Sequence, residues 1–333
     1  MVKIGLIGAG FMGSTHLACY EKLMNIKDFK VTAIADLDFD KASKYAEKFG
    51  AVAYKTGEEL IEKADVNTVD ICLPTYLHAH HGILAMEKGY NVFIEKPVCL
   101  NEDEAQKLLE VQQRKGVKAM VGQCLRMWPE YMYLKNLVDS GEYGAVKSAV
   151  FKRLSPKPLW GWNNWLHDKE KSGGAVMDLH IHDVDFARYI LGEPEEIKAS
   201  ILYNSGNPEH VFSIYRYSNA TAFLEGGWDF PQNFTFEMEY RVTFENAVVV
   251  FNSTHNPTVK IYPNSGDVII PNINTDFNEE NKESIGNISS LGGYYNELAY
   301  FIDCLLSEKP IEVSPLIEGI QSLRLLLREI ETA

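Results

Sequence analysis

Short apolar runs alternate with amphipathic stretches through the first 122 residues. The runs carry β-branched and other apolar residues, as short strands do. Five of them begin at Val2, Val31, Thr68, Asn91 and Lys118. The stretches between them, such as residues 40–50 and 101–116, end in glycine and predict helices. Strands separated by helices indicate β-α-β units, so we expect a parallel sheet with right-handed crossovers.

The pattern changes after residue 122, where we place a domain boundary between residues 1–122 and 123–333. Runs with alternating polarity follow one another over residues 196–262 without helices between them, which predicts a mostly antiparallel sheet. The other predicted elements are a helix over 129–140, a strand over 145–152, a loop over 153–172, one helix over 173–191, a loop over 263–290 and two closing helices. The last helix is expected to begin with Ser314 as N-cap and Pro315 as its first residue.

Composition narrows the class of protein. The chain has 333 residues and a formal net charge of −14, which argues against nucleic acid or an anionic membrane as a partner. No apolar run is long enough to span a membrane, and residues 1–11 fit a strand better than a signal peptide. The five cysteines are scattered and form no C-x-x-C pair, which favours a cytoplasmic, reducing location.

A glycine motif of the form G-x-G-x-x-G follows the first strand and opens a helix. It is Gly8-Ala9-Gly10-Phe11-Met12-Gly13. Gly8 allows a tight turn, Gly10 lets the backbone approach a pyrophosphate, and Gly13 lets helix and strand pack closely. The free N–H groups of the helix would then face the phosphates. In this context the motif predicts dinucleotide binding at residues 8–13, and the alternative is a glycine-rich packing turn.

The end of the next strand indicates which dinucleotide is bound. Asp36 stands about 20 residues after the glycine motif, where a carboxylate accepts hydrogen bonds from the adenosine ribose diol. Leu37 and Asp38 follow, so a 2′-phosphate would meet negative charge, with Lys41 as the nearest cation. NAD is therefore favoured over NADP.

A further ligand-binding position lies where the strand beginning at Thr68 ends, because ligands of open parallel sheets bind at the carboxyl ends of strands. Pro74, Thr75 and His78 are expected to contact the cofactor there. The alternative is that Pro74 ends the strand and Thr75 caps the next helix. Of the other histidines, His16 is expected to be packed in the first helix, whereas His80 and His81 are expected on a solvated helix face.

Two further motifs make the pattern specific. The first is Glu95-Lys96-Pro97, with a possible cis bond at Pro97, and the second is the segment 172–183, SGGAVMDLHIHD. Together with the glycine motif, they resemble the Gfo/Idh/MocA oxidoreductases. The resemblance implies a doubly wound Rossmann domain followed by an α/β domain with a large open sheet. It also implies hydride transfer between a nicotinamide and a hydroxyl or keto carbon of a sugar or cyclitol.

The same resemblance implies an active-site lysine, aspartate and histidine, which correspond to Lys96, Asp178 and His182. The chemistry agrees, because the ordinary pKa of histidine suits removal of a hydroxyl proton near neutrality. On one continuous helix, Asp178 would share a face with His182 and orient it. The Lys96 ammonium would stabilise alkoxide charge or polarise a ketone. Glu95 and Pro97 are expected beside the cofactor. In isolation, such a pair or such a lysine would more often be surface groups.

Several residues depart from the family pattern or leave alternatives open. Arg126 is expected either to line the substrate pocket or to form a structural salt bridge. His180 stands where the family often has a small residue, so it is a further candidate acid or base. Trp165, in the Trp-rich segment 160–165, is the aromatic candidate for stacking on the substrate or for covering a hydrophobic surface. The spacing of His180 and His182 fits no metal site, so no metal is expected.

Two other functions stay open from the sequence. One is an NAD-dependent glycosidase or epimerase that oxidises its substrate transiently, for which His180 would supply an additional acid or base. The other is a non-catalytic sensor that binds the cofactor. We also expect self-association, as a homodimer or homotetramer, through an exposed face of the second sheet that includes the aromatic segment 234–240.

Overall fold

The computed structural model describes residues 1–273 and 291–333. These residues divide into two compact units. Residues 1–124 and 291–321 form the first unit, and residues 125–273 and 322–333 form the second. The sequence placed the boundary two residues earlier and assigned everything after it to the second domain. The difference lies in residues 291–321, which return to the first unit.

The first unit contains a parallel sheet of six strands in the order β3-β2-β1-β4-β5-β6. Its strands are β1 (Val2–Ile7), β2 (Phe29–Ala35), β3 (Val52–Tyr54), β4 (Thr68–Ile71), β5 (Asn91–Glu95) and β6 (Ala119–Gly122). The helices between them are α1 (Phe11–Leu23), α2 (Phe39–Phe49), α3 (Gly57–Lys63), α4 (His78–Glu87) and α5 (Glu102–Lys115). The strand order reverses at β1, which lies between β2 and β4. The predicted doubly wound sheet is confirmed, with β3 and α3 as additions that the sequence analysis did not predict.

The return of the chain to the first unit is carried by α10 (Gly292–Leu306), which packs on α1. Its apolar face joins the core of this unit through Leu298, Phe301 and Ile302. Lys118, just before β6, donates hydrogen bonds to the backbone oxygens of Cys304 and Lys309 at 2.5 and 2.6 Å. These contacts join residues nearly two hundred positions apart, so the local sequence pattern does not report them.

The closing helix α11 (Leu316–Glu331) begins later than predicted. Because the helix starts at Leu316, Ser314 lies two residues before it, and its hydroxyl donates to the backbone oxygen of Val121 at 2.8 Å. Pro315 forms an isolated antiparallel bridge with Met120, and its backbone oxygen accepts from the amides of Glu318 and Gly319 at the start of α11. The Ser-Pro pair thus adds an edge contact to the first sheet.

The second unit is built on a seven-stranded sheet in the order β13-β12-β11-β7-β10-β9-β8. Its strands are β7 (Val146–Pro156), β8 (Glu196–Asn204), β9 (Asn207–Arg216), β10 (Thr221–Phe230), β11 (Glu237–Phe244), β12 (Ala247–Asn252) and β13 (Val259–Pro263). Within the described strands of this second sheet, β7 and β10 form a parallel pair and the other pairs are antiparallel, so the sheet is mostly antiparallel, as predicted. The helix α6 (Pro129–Ser140) coincides with the predicted one. The predicted loop over 263–290 lies outside the described residues from 274 onward.

The expected single helix over residues 173–191 is divided into α8 (Gly174–Asp178) and α9 (Ile181–Leu191). A short helix, α7 (Lys169–Ser172), and a 3₁₀ segment over Trp162–His167 precede them. At the interruption, the amides of Leu179 and His180 both donate to the backbone oxygen of Ala175. This shared acceptor ends the regular α-helical pattern before His182.

The two faces of the second sheet differ in exposure. One face forms the core of the unit around Phe151, Tyr240 and Phe251, which are fully buried. On the other face, Phe212 and Phe223 are 44% and 49% exposed on neighbouring strands. The exposed aromatic residues of the described strands lie on β8, β9, β10 and β13, as Tyr203, Phe212, Phe223 and Tyr262, and not on β11 as the sequence suggested. No helix among the described residues is long and apolar enough to span a membrane.

Candidate functional site

The glycine motif forms the turn between β1 and α1. A Cβ atom at Gly13 would lie 1.8 Å from the Gly8 backbone oxygen, so only glycine permits this close approach of helix and turn. At Gly10, by contrast, a Cβ atom would meet nothing within 4 Å, and the residue is exposed. Gly10 is also the N-cap of α1, so no side chain covers the start of the helix. The turn thus offers open space in front of a helix N-terminus, which suits a pyrophosphate.

Asp36, at the end of β2, is joined to this turn. One carboxylate oxygen accepts from the Ala9 amide at 2.8 Å, and the other accepts from the Asp38 amide at 2.8 Å. Each oxygen retains a lone pair, so the carboxylate can also accept from a ribose diol. Leu37 is 67% exposed beside it. Asp38 has a different role, because it caps α2 through the Lys41 amide.

Two side chains of the segment after β4, those of Thr75 and His78, are buried. Thr75 is buried, and its hydroxyl has no hydrogen-bond partner among the described residues. His78 is also buried, and its two ring nitrogens lie 2.7 Å from the backbone oxygens of Leu73 and Pro97. Burial lowers the pKa of His78, and the two carbonyl contacts oppose this effect only in part. His78 therefore connects the ends of β4 and β5, and its expected cofactor contact stays a prediction, as do those of Pro74 and Thr75.

The two other histidines of α4 differ in exposure. His80 is exposed as expected, but His81 is buried and its Nδ1 lies 3.0 Å from the backbone oxygen of Leu77. The prediction of a solvated position was wrong for His81, because α3 packs against this side of α4.

The motif Glu95-Lys96-Pro97 follows β5, next to β4 in the sheet. Lys96 is half-buried, and the Lys96–Pro97 bond is cis. The Glu95 side chain turns back, so that one oxygen accepts from the Lys96 amide at 3.2 Å. The glycine turn, Asp36, Thr75 and Lys96 thus lie at the carboxyl ends of four adjacent parallel strands, where open sheets bind ligands.

Beneath this edge, His16 lies in a cluster of buried ionisable groups that the sequence analysis did not identify. Its Nδ1 is 2.8 Å from an Asp70 oxygen, and its Nε2 is 3.0 Å from a Glu95 oxygen. Tyr20 donates to the same Asp70 oxygen at 2.8 Å. Burial lowers the pKa of His16, but Asp70 and Cys72 outweigh this effect and raise it well above its usual value. The periodicity showed a packed histidine, but not its partners from β4 and β5.

In the second unit, Asp178 ends α8 and His182 lies in the first turn of α9. Asp178 is half-buried and His182 is 9% exposed. The expected continuous helix is wrong, because the helix is interrupted between these two residues. The expected orientation of His182 by Asp178 stays a prediction. Gly174, with φ of +69°, starts α8, and a Cβ atom there would lie 2.5 Å from the backbone oxygen of Pro208. This glycine lets the motif pack directly on the beginning of β9.

Buried ion pairs hold α9 in place. Asp183 pairs with Arg153 of β7 at 2.8 Å. Asp185 receives two hydrogen bonds from Arg126 at 2.9 and 2.8 Å, and a third from Ser322 at 2.6 Å. Both side chains of the Arg126–Asp185 pair are 1% exposed. Of the two roles left open for Arg126, the structure shows the salt bridge, and a place in the substrate pocket stays a prediction.

His180 is likewise a residue of the core. It is fully buried, and its Nε2 lies 3.0 Å from a carboxylate oxygen of Glu329 in α11. Tyr215 donates to the other oxygen of Glu329. Burial, followed by the charge of Glu329, raises the pKa of Tyr215 well above its usual value. The bulky polar residue at position 180 therefore packs within the second unit.

The aromatic candidate Trp165 is half-buried and packs on Leu166, Ala175 and Trp228. Trp160 and Trp162 of the same segment are 45% and 54% exposed. Trp165 thus covers a small hydrophobic cluster beside α8, and its contact with a substrate stays a prediction.

The fold and the glycine turn define a class of protein. A doubly wound sheet, an uncovered helix N-terminus and an acidic residue at the end of β2 are the parts of an NAD-binding Rossmann domain. The residues fit the cofactor because an added side chain at Gly10 would extend into open space, while Asp36 points toward the same turn.

Comparison with known proteins identifies the family. Residues 2–123 match the NAD-binding Rossmann fold of the Gfo/Idh/MocA oxidoreductases, and residues 131–250 match a C-terminal domain of the same family. An oxidoreductase of Formosa agariphila is 30% identical over 239 residues, which are 69% of this chain and 73% of that protein. The chain therefore belongs to the Gfo/Idh/MocA family and is an NAD-binding oxidoreductase.

Two other relatives carry more specific names. Myo-inositol 2-dehydrogenase of Thermotoga maritima is 34% identical over 198 residues, which are 59% of this chain but 56% of that enzyme. The alignment thus spans little more than half of that relative. A solved structure of levoglucosan dehydrogenase with NADH and levoglucosan superposes with a TM-score of 0.85 and 21% identity, over 100% of this chain and 97% of that one. At this identity, the likeness supports the fold.

Proposed function

We propose that this protein is an NAD-dependent dehydrogenase that transfers a hydride between the nicotinamide and a hydroxyl or keto carbon of a sugar, sugar derivative or cyclitol. The observation that carries the proposal is the position of Lys96. It directly follows β5, at the sheet edge that also holds the glycine turn and Thr75. The names of the inositol and levoglucosan dehydrogenases support the substrate class.

In the proposed reaction, Lys96 stabilises charge on the reacting oxygen and His182 transfers the proton. Bound NAD supplies the hydride acceptor. The Lys96 ammonium hydrogen-bonds the reacting oxygen and stabilises its negative charge during oxidation. His182 takes the hydroxyl proton as the general base, and Asp178 binds a neighbouring substrate hydroxyl or orients His182. In the reverse direction, Lys96 polarises the ketone and His182 returns the proton.

The experiment that tests the proposal is a panel of sugars, inositols and their keto derivatives, assayed through NADH absorbance with NAD or NADH as cofactor. The proposal requires NADH to accumulate in proportion to oxidised product for at least one compound. Turnover without net NADH would favour transient oxidation, as in an NAD-dependent glycosidase or epimerase. Binding of NADH without any turnover would favour a sensor. His180 had favoured the glycosidase or epimerase as an additional acid or base. Because it packs against Glu329, it gives this alternative no support.

We further propose that the protein is a homodimer or homotetramer assembled through the exposed face of the second sheet. Phe212 and Phe223 lie there beside a shallow groove that Val150, Lys198 and Ile214 also line. A contiguous apolar surface of this kind is usually covered in solution. A cytoplasmic location is part of the same proposal, and it is supported by the five buried cysteine thiols.

A further inference from the structure

Glu297 of α10 completes the buried cluster around His16. It is fully buried, and one of its oxygens lies within 4.8 Å of a ring nitrogen of His16 and of a carboxylate oxygen of Glu95. Neither of its carboxyl oxygens has a hydrogen-bond partner among the described residues. An ionised carboxylate in such a place would lose its hydration without compensation. The position of Glu297 thus requires an explanation.

The charges of the cluster explain how Glu297 can occupy this position. Both ring nitrogens of His16 face carboxylate oxygens, from Asp70 and Glu95, so both nitrogens carry protons and the ring is an imidazolium. Asp70 also accepts a hydrogen bond from Tyr20, and Glu95 also accepts one from the Lys96 amide, so each carboxylate has a second partner. Two carboxylates and one imidazolium leave one negative charge. A third carboxylate would add a second negative charge in the same interior.

Four elements, α1, β4, β5 and α10, contribute titratable groups to the surroundings of Glu297 and His16. The titratable groups that face Glu297 and His16 are Cys19 and Tyr20 of α1, Asp70 and Cys72 of β4, Glu95 of β5 and Tyr294 of α10. The charged groups that act on Glu297 itself are Glu95, Asp70 and His16, so His16 is the one cation among these three. Burial first, and then the charge of Glu95, raise the pKa of Glu297 well above its usual value, whereas the charge of His16 opposes them.

We propose that Glu297 keeps its proton in the folded protein and acts, as a neutral acid, as a positioning residue for Lys96. With Glu297 neutral, the His16 imidazolium remains between Asp70 and Glu95. Glu95 then keeps one oxygen on His16 and its second oxygen on the Lys96 amide. This inference rests on the proposed function for the importance of Lys96, but the protonation of Glu297 does not depend on it.

The protonation is tested by infrared difference spectroscopy of the whole protein labelled with carbon-13 glutamate. The wild-type spectrum minus that of Glu297→Gln should show the carbonyl band of one protonated carboxylic acid at neutral pH. Loss of a carboxylate band in its place would overturn the proposal. So would a stoichiometric metal ion, found by elemental analysis in the wild type and lost in the variant. This measurement needs no substrate, so it decides the protonation even if no sugar or cyclitol is turned over.

The positioning role is tested by conservative rescue. Glu297→Ala should lower kcat about tenfold, and Glu297→Gln should restore most of it, because glutamine is the neutral isostere. His16→Gln should lower kcat by a similar factor while the Kd for NADH changes less than about twofold. The matched control is Glu130→Gln, a mostly buried glutamate of the second unit, which should retain wild-type kcat. A Gln variant as slow as the Ala variant, or a folded His16→Gln protein with wild-type kcat, would overturn the role.

Discussion

The Asp36 carboxylate accepts a hydrogen bond from the Ala9 amide at 2.8 Å, which joins the end of β2 to the glycine turn. Because both its oxygens already bind backbone amides, the side chain is fixed in one direction before any ligand arrives. This preorganisation places negative charge where the adenosine ribose of a dinucleotide would lie. The preference for NAD over NADP follows from that charge.

Cofactor preference should therefore change when Asp36 is replaced. The double variant Asp36→Ala with Leu37→Arg removes the repulsion and provides a cation at an exposed position. The ratio of kcat/KM for NAD to that for NADP should fall at least about tenfold, measured with the same substrate. The control Asp65→Ala removes an exposed carboxylate that pairs with Lys3 and should leave the ratio unchanged. An unchanged ratio in the double variant would contradict the ribose-diol role of Asp36.

The charged residues of the proposed site should separate chemistry from cofactor binding. Lys96→Ala and His182→Ala should each lower kcat about a hundredfold or more, since each removes a group that acts on the reacting oxygen. The Kd for NADH, measured by fluorescence titration, should change little. Lys88→Ala and His255→Ala, which alter exposed residues, are the matched controls. Near-wild-type turnover in both site variants would refute the assignment.

These residues also show how far the sequence could reach. The glycine turn, Asp36 and the strand-end motif at Glu95 are local signals, because each depends on a few residues placed at the end of a strand. Their places in the sheet follow from parallel β-α-β topology, which the alternation of strands and helices predicts. That part of the site could be predicted from the sequence.

The rest depends on contacts between distant positions. From the sequence, His180 was a candidate acid or base. In the folded chain it pairs with Glu329, which lies 149 positions later in α11. Arg126 pairs with Asp185 across 59 positions, and periodicity carries no information about such a pair. The interruption between α8 and α9 was missed because every residue there is compatible with a helix. The shared acceptor at Ala175, which ends α8, is a property of the folded backbone.

The stability of the second unit should depend on the Arg126–Asp185 pair. Arg126→Met leaves a buried carboxylate without its partner, so the free energy of unfolding should fall by about 3–5 kcal/mol. Urea denaturation followed by circular dichroism measures this change. The double variant Arg126→Met with Asp185→Leu should recover part of the loss, because no buried charge remains unpaired. A variant of normal stability with a raised KM would instead indicate that Arg126 lines the substrate pocket.

The pH dependence of stability should report the proton on Glu297. Burial, and then Glu95, raise the pKa of this carboxyl above its value in the unfolded chain, so the folded protein binds more protons. Its contribution to stability is complete below the unfolded pKa and is lost as pH rises toward the folded pKa. Relative to Glu297→Gln, the wild type should lose about 1.4 kcal/mol per pH unit above pH ~4.5. Urea unfolding of both proteins at several pH values tests this, and parallel pH profiles would contradict it.

The exposed aromatic face of the second sheet should determine the oligomeric state. Phe212 of β9 is paired with Glu225 of β10, and Phe223 stands two residues before Glu225. Residues two positions apart on a strand share a face, so Phe212 and Phe223 lie on the same face. Light scattering should give the wild type a mass of two or four chains of 37.7 kDa. Phe212→Asp places a charge in the apolar surface and should yield the monomer, because burial of an unpaired carboxylate opposes association. Leu159→Asp, at a residue that is 64% exposed outside the sheet, should keep the wild-type mass. A monomeric wild type, or an unchanged mass for Phe212→Asp, would show that this face is not the interface.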